Sequence, residues 1–442
     1  MAERADVVIA GGGIAGSVAA AALSGLGLET LLIEPGMHAD RRQGGELLHP
    51  LGVAGLDELE LLRWVEAQGA TPIQGFHIWD SASGDVRLTY GEADRRPALA
   101  LDHVRLRQAL LEGALSRPGV SLRRGRLARL ENREDGARVR VTTPTGAEDI
   151  ACRLLIGADG AQSRVRDLAG IAARRHRVSS ISTVRVPEAA LPETRYGQLF
   201  IGGGSAALAY GYGAGQARVM FDRTAHADPG CGGGAVPPML LPAILAEATG
   251  RALRQQRMQR INTFLVIVRE PRRGRVVLIG DAAGTCHPLT ASGMSACIAD
   301  ALSLRDTLAQ SAGDIDVMLD RHIAMRSQAQ LCRLALASAM HEVLTSPSPQ
   351  FATIRAGMIR YWQTEEGRDR AMALLSMRES RPHRLFGAML QVARHGLLGC
   401  ADTGGRLRLL PELAQLLLRY GLGLFGGPRL LPGPLGEGRS SS

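Results

Sequence analysis

Val7-Val8-Ile9-Ala10-Gly11-Gly12-Gly13-Ile14-Ala15-Gly16 runs a β-branched stretch straight into a glycine-rich turn, and an alanine-rich stretch follows it. The apolar run reads as a short buried strand, the alanines as a helix, and Leu31-Leu32-Ile33-Glu34 as a second strand. In such a strand–turn–helix–strand unit each glycine has its own task. Gly11 permits the tight turn, Gly13 lets the backbone approach a pyrophosphate, and Gly16 lets helix and strand lie close together. The helix N-terminus offers free N–H groups and the positive end of its dipole to phosphates. Glu34 ends the second strand 23 residues after Gly11, where a carboxylate can accept hydrogen bonds from an adenosine ribose. A bare Gly-x-Gly-x-x-Gly is weak evidence. Framed by two strands and closed by an acid, it predicts a dinucleotide site.

The whole chain supports an α/β enzyme of two or three domains. Its 442 residues are 45% hydrophobic and 21% charged, which excludes disorder over most of the length. Glycine is abundant (54 residues) and aromatics are scarce at 4%, a balance that suits an α/β enzyme better than a β-sandwich. The net charge of +9 rests on arginine, because the chain contains no lysine. That excludes a Walker A phosphate loop and a pyridoxal Schiff base. The arginines are mixed with acids, as in Arg133-Glu134-Asp135, without an aromatic-interleaved stripe, so nucleic acid is not an expected partner. Six cysteines form no C-x-x-C pair, which predicts reduced thiols and no metal site. Two uncharged stretches, 7–28 and 196–217, are long enough to mimic a membrane span. The first holds the nucleotide turn. The second holds Gly202-Gly203-Gly204 and Tyr-Gly pairs, so it reads as strand and turn. With no cleavable signal either, the expected location is cytoplasmic.

Further along, helices are predicted over 101–116 and 295–310, and strands over 120–122, 139–142, 153–156, 179–186 and 217–221. Val276-Val277-Leu278-Ile279 repeats the buried-strand pattern and ends in Gly280-Asp281. The remainder is helical in texture, with candidates at 315–343, 365–377, 384–398 and 411–425.

Three separated pieces therefore agree: Gly11–Gly16 with Glu34, Asp159-Gly160 with Arg166, and Gly280-Asp281. This set resembles the FAD-dependent group A monooxygenases, the family of aromatic hydroxylases and related epoxidases. The resemblance implies that the first piece holds the ADP half of FAD and that the third binds the ribityl chain. It places Asp159 near the flavin, in a segment associated with pyridine nucleotide use. The run from Gly280 to Met294, with His287-Pro288-Leu289-Thr290 inside it, is similar to the Gly-Asp…His-Pro-Leu-Thr-x-x-Gly-Met pattern of squalene monooxygenases. Asp300 and Leu304-Arg305-Asp306 extend it. Arg42-Gln43-Gly44-Gly45-Glu46-Leu47-Leu48-His49-Pro50 is similar to that branch's Arg-x-x-Gly-Glu-Leu-Leu-Gln-Pro, and Gly75-Phe76-His77-Ile78-Trp79-Asp80 also has a counterpart. The likeness covers 5–175 and 270–310 well and 176–264 poorly. The membrane anchor at the N-terminus of eukaryotic members has no counterpart, so squalene does not follow as the substrate.

From the resemblance comes an expected architecture. It is α/β, with a Rossmann-like FAD-binding domain (1–75, 100–175 and 265–314), an inserted β-sheet substrate domain (76–99 and 176–264) and a helical C-terminal region (315–442). The implied FAD contacts are Glu34, Arg42, Leu47, Arg105, Leu127, Asp281, Gly293 and Met294, beside Gly11, Gly13, Gly16 and Asp159. Bland readings stand next to several of them. Arg42 suits a surface, Arg105 a helix face, Leu127 any strand, and Asp281 a helix cap.

The resemblance also implies the reaction, epoxidation or hydroxylation of a lipophilic alkene or aromatic ring by O2 through a flavin C4a-hydroperoxide. Electrons come from NADPH, directly or through a separate reductase. Because the cofactor carries the hard chemistry, the protein's task is to position, exclude water and tune charge, and no catalytic triad is expected. His287 is a candidate acid or base or a structural hydrogen-bonding residue; His49 and His77 are weaker candidates. Between 384 and 432, six arginines face two acids, and Leu413, Leu416, Leu417, Tyr420 and Leu424 recur at helical spacing. That pattern reads as a helical cap or as a basic amphipathic surface resting on a membrane. Two other functions compete: a flavin oxidoreductase that moves hydride without inserting oxygen, of the prenyl-chain reductase type, and a non-catalytic FAD-binding protein. A halogenase is excluded, since its active-site lysine is impossible here.

Overall fold

The computed structural model describes residues 3–36, 46–94, 96–202, 205–224, 241–255, 259–310 and 314–426. Strand Glu3–Ala10 lies inside an eight-stranded sheet, between Gly146–Gly157 and Thr30–Glu34, and is parallel to both. Val120–Arg124 extends the parallel set beyond Thr30–Glu34, and Val276–Leu278 extends it beyond Gly146–Gly157. The alternation of side chains explains why the first strand is apolar throughout. Val7 and Ile9 enter the core under helices Ile14–Ser24, His103–Leu115 and Gly293–Leu308. Val8 and Ala10 enter the core on the opposite face, covered by the antiparallel ribbon Arg126–Arg133 and Gly136–Thr143.

A second, seven-stranded sheet runs in the order Gln259–Val268, Ala173–Pro187, Gln216–Thr224, Ser205–Gly211, Gly197–Gly202, Gly75–Asp80, Gly84–Thr89. Its neighbours are antiparallel except Gly197–Gly202 beside Gly75–Asp80. One face shares a core with the C-terminal helices; the other is covered by helix Ala243–Gln255. A small sheet of Leu47–Leu48, Ala98–Ala100 and Thr71–Ile73 joins the two large ones.

The C-terminal helices are Ile315–Thr345, Pro349–Trp362, Glu365–Leu375, Pro382–Leu398 and Thr403–Leu416. Two differ from the sequence reading. Pro349–Trp362 was not predicted, although Ser348 accepts from the Phe351 N–H and Pro349 is well placed at a helix start. The helix expected from 411 begins at Thr403, so Pro411 lies within it, and a π-helical stretch follows at Leu417–Leu422. The expected apolar stripe packs inward: Leu413, Leu416, Tyr420 and Leu424 are core. A different set, Leu390, Leu398, Leu407, Leu410, Leu418 and Phe425, is exposed.

Candidate active site

The glycine turn is built as tightly as its sequence requires. Gly11 has φ +107°, and a Cβ there would lie 2.5 Å from the Ala158 carbonyl oxygen. At Gly16 a Cβ would sit 1.8 Å from the Gly11 carbonyl oxygen. Gly13, where the helix begins, is different: an added Cβ would meet nothing within 4 Å. Glu34 closes the turn by accepting from the Gly12 N–H (2.8 Å) and the Gly36 N–H (3.2 Å).

The other two motif pieces are tied to this turn. Asp159 follows Ala158, whose N–H donates to the Ala10 carbonyl, and its carboxylate accepts from the Ser163 hydroxyl and the N–H groups of Arg164 and Val165 (2.6 and 3.0 Å). That caps the short helix Arg164–Leu168. Arg166, buried, then reaches the Ala282 carbonyl (3.1 Å) and the Ala161 carbonyl (3.0 Å), so it locks the Asp-Gly segment onto the Gly-Asp segment. Gly280, at φ +57°, donates its N–H to Asp300 Oδ2 (2.8 Å), which also accepts from Arg326 Nε (2.8 Å). Beyond it, Ala291 adopts a left-handed turn (φ +51°), and helix Gly293–Leu308 begins with no side-chain cap. A Cβ on Gly293 would also meet nothing within 4 Å.

His49 joins this turn to the small sheet. Its backbone N–H donates to Ser295 Oγ (2.9 Å), Nε2 lies 2.9 Å from the Thr290 carbonyl, and Nδ1 lies 2.8 Å from the Tyr90 hydroxyl. A carbonyl only accepts, so Nε2 carries the proton and Nδ1 accepts from Tyr90. Burial pushes its pKa down to about 4.

Of the remaining expected FAD contacts, Leu47 and Met294 are buried, Asp281 is half-buried, and Leu127 is buried opposite Val141. Arg105 is exposed on the first turn of its helix, where its N–H is capped by Asp102. Arg42 lies outside the described residues.

Two polar groupings escape a reading by local sequence, since their members are far apart in the chain. Glu46 Oε1 accepts from Arg218 (Nη2 at 2.5 Å, Nε at 2.6 Å), and Oε2 accepts from the Tyr210 hydroxyl (2.7 Å); Glu46 and Arg218 are almost fully buried. The second grouping is Asp222, His287 and His341, with Nε2 of each histidine 3.3 and 3.1 Å from Asp222 Oδ2. His287 Nδ1 accepts from the Leu289 N–H (3.3 Å), which leaves the proton on Nε2, facing Asp222 and Ser179 Oγ (3.0 Å). Both Asp222 carboxylate oxygens and His341 Nε2 are buried without a hydrogen-bond partner among the described residues, so the three side chains form a compact buried cluster and not a completed hydrogen-bonding network. Burial pushes the His287 pKa down to about 3, which keeps the ring neutral at pH 7.

Burial also pushes His322 down to about 4. For His49, His287 and His322 the folded values lie below the ordinary 6.5, so the unfolded chain binds more protons between pH 6.5 and 4. Their contribution to stability is complete above pH 6.5 and is lost as pH falls toward 4. Each should remove about 1.4 kcal/mol per pH unit through that window. Urea unfolding at pH 7.5 and 5 should show the loss, and His322→Asn should reduce it by about one histidine's share. An unchanged pH slope in His322→Asn overturns this assignment.

The residues present fit a dinucleotide. Two helix N-termini meet open space at glycines, an acid closes the first turn at the end of strand Thr30–Glu34, and the second turn is held by buried Asp300 and Arg326. FAD bound here would supply redox and oxygen chemistry that the side chains lack. Residues 4–315 match the model of the FAD binding domain family. Squalene epoxidase from Aspergillus fumigatus is 26% identical over 82% of this chain and 79% of its own length. The 6-methylpretetramide 4-monooxygenase of Streptomyces rimosus is 28% identical over 69% of this chain and 75% of its own. The solved structure of an anhydrotetracycline hydroxylase from Streptomyces rimosus superposes with a TM-score of 0.67 at 25% identity, covering 85% of this chain and 76% of that one. On the strength of these matches and of the turns described above, the chain belongs to the FAD binding domain family and is an FAD-dependent monooxygenase.

Proposed function

We propose that the protein epoxidises or hydroxylates a lipophilic, polycyclic or polyprenyl substrate, with FAD held by Gly11, Gly13, Gly16, Glu34, Asp159, Asp281, Gly293 and Met294. The observation that carries this reading is the junction of three distant segments, joined by the Ala158 N–H to the Ala10 carbonyl and by Arg166 to the Ala282 carbonyl, with glycines at two helix N-termini opening onto free space. We assign 1–75, 100–175 and 265–314 to FAD, 76–99 and 176–264 to substrate, and 315–442 to a cap. The lipophilic class is supported by the relatives, which are named for squalene and for tetracycline precursors. It is also in keeping with an apolar cavity of about 100 Å³ among the C-terminal helices, lined by Met340, Ile354, Met358, Trp362, Leu374 and Leu416. Within this reading the electron donor is NADPH, with direct reduction preferred to a separate reductase.

Peripheral contact with a lipid surface belongs to the same reading. Among the described residues no helix is long and apolar enough to cross a membrane. Leu407, Leu410 and Leu418 are nevertheless exposed beside exposed Arg406 and Arg408, an arrangement suited to an anionic interface. Arg419, counted from sequence as part of that surface, is instead paired with Glu342 (2.8 Å), and Arg429 lies outside the described residues.

The test is an assay with isotope-labelled O2, NADPH and a panel of polyketide and polyprenyl compounds, with and without anionic vesicles. Label in the product, with turnover raised by vesicles, is expected. NADPH-dependent reduction of a substrate without label would sink oxygen insertion. Vesicle-independent turnover with no co-sedimentation would sink the lipid contact.

A further inference from the structure

Arg333 projects from helix Ile315–Thr345 toward the turn that starts helix Gly293–Leu308. Its Nη1 donates to Gln330 Oε1 (2.9 Å), Nε to Ser292 Oγ (3.4 Å) and Nη2 to Cys286 Sγ (3.3 Å). All three acceptors are neutral groups. Asp300, whose charge acts on Arg333 from nearby, is already engaged by Arg326 and the Gly280 N–H. The contrast with Arg218 and Arg326 is direct, for each of those holds a carboxylate. Among the described residues no carboxylate pairs directly with this half-buried guanidinium, so its charge is left available to act on a neighbouring group.

A second positive potential converges on the same turn. The N-terminus of the 16-residue helix Gly293–Leu308 carries the positive end of its dipole, and the Ser292 side chain does not cap it. Beside it, the Gly293 position opens onto free space. Guanidinium and dipole therefore reinforce each other beside the open space at Gly293.

We propose that Arg333 is the counter-charge for the reduced flavin, an inference that rests on the FAD reading above. Reduction by two electrons with uptake of one proton leaves the isoalloxazine with one negative charge. A fixed cation beside that ring favours the reduced form over the neutral oxidised form. Arg333 acts through space and through Ser292, so it is a positioning residue whose signature is the redox potential of the bound flavin.

The experiment is an anaerobic reductive titration of the purified FAD-loaded protein against a reference dye. Arg333→Met should lower the reduced-to-oxidised ratio at a fixed potential about tenfold, which is about 30 mV for a two-electron couple. Arg333→Lys should retain most of the wild-type value. Gln330→Glu places a carboxylate next to the guanidinium and should shift the potential in the same direction as Arg333→Met; it decides the matter if Arg333→Met does not fold. Wild-type potentials in both Arg333→Met and Gln330→Glu with flavin bound would overturn the proposal. So would a variant whose only change is a raised KM, which would assign the cation to an anionic substrate. A wild-type protein that binds no FAD would refute the parent reading instead.

Discussion

Gly13→Ala is expected to give a folded protein that has lost its flavin. Residue 13 has φ −76°, which alanine adopts without strain, and its Cβ would touch nothing within 4 Å. Stability of the cofactor-free protein should therefore change by less than about 1 kcal/mol. The new methyl occupies the space through which backbone approaches a pyrophosphate, so FAD affinity should fall at least ~100-fold, about 2.7 kcal/mol. Gly16→Ala should fail in a different way. Its Cβ would lie 1.8 Å from a backbone oxygen, so the helix must move away from the strand, and both fold stability and FAD binding should suffer. Bound flavin is read from the visible absorbance of purified protein, affinity from FAD titration of the stripped form, and stability from urea unfolding. Wild-type FAD affinity in Gly13→Ala would show that the turn does not hold the pyrophosphate.

What the sequence disclosed follows the range over which each signal acts. Gly11, Gly16 and Glu34 answer to one another within a single strand–turn–helix–strand unit, so their spacing already encodes the close approaches seen in the structure. Arg166 was visible as part of a motif, but its role as a tie to Ala282 depends on chain 116 residues away. Asp222, His287 and His341 belong to a sheet strand, a turn and the long C-terminal helix, and no local pattern announces their meeting. Arg333 was hidden for a related reason, since an arginine among helix-face charges looks ordinary until its acceptors prove neutral. Strand Arg126–Arg133 was missed because every residue but Leu127 is exposed or half-buried and four of the eight are charged, which hides the alternation. The helix at Thr403 was misplaced because proline normally marks a start or a break, whereas Pro411 sits in its interior.

Glu46→Ala should be among the most damaging single substitutions in the molecule. It would take the Glu46 carboxylate away from Arg218, which is 2% exposed, and would remove the acceptor of the Tyr210 hydroxyl. Breaking a buried pair from one side costs about 3–5 kcal/mol, because the remaining charge stays desolvated. The pair is also a mechanical link: the Glu46 backbone carbonyl accepts from the Leu101 N–H just after strand Ala98–Ala100, and Glu46 stands three residues before His49, while Tyr210 and Arg218 lie on neighbouring strands of the second sheet. Losing it should therefore loosen the seam between the FAD-binding side and the second sheet, so activity should fall with stability. The double substitution Glu46→Leu with Arg218→Met removes both charges and should recover most of the lost stability, as apolar replacements of buried pairs commonly do. Urea unfolding of the two single variants and the double variant gives the coupling directly. If Glu46→Ala loses less than about 1 kcal/mol, the guanidinium has found water or another partner, and the seam does not depend on this pair.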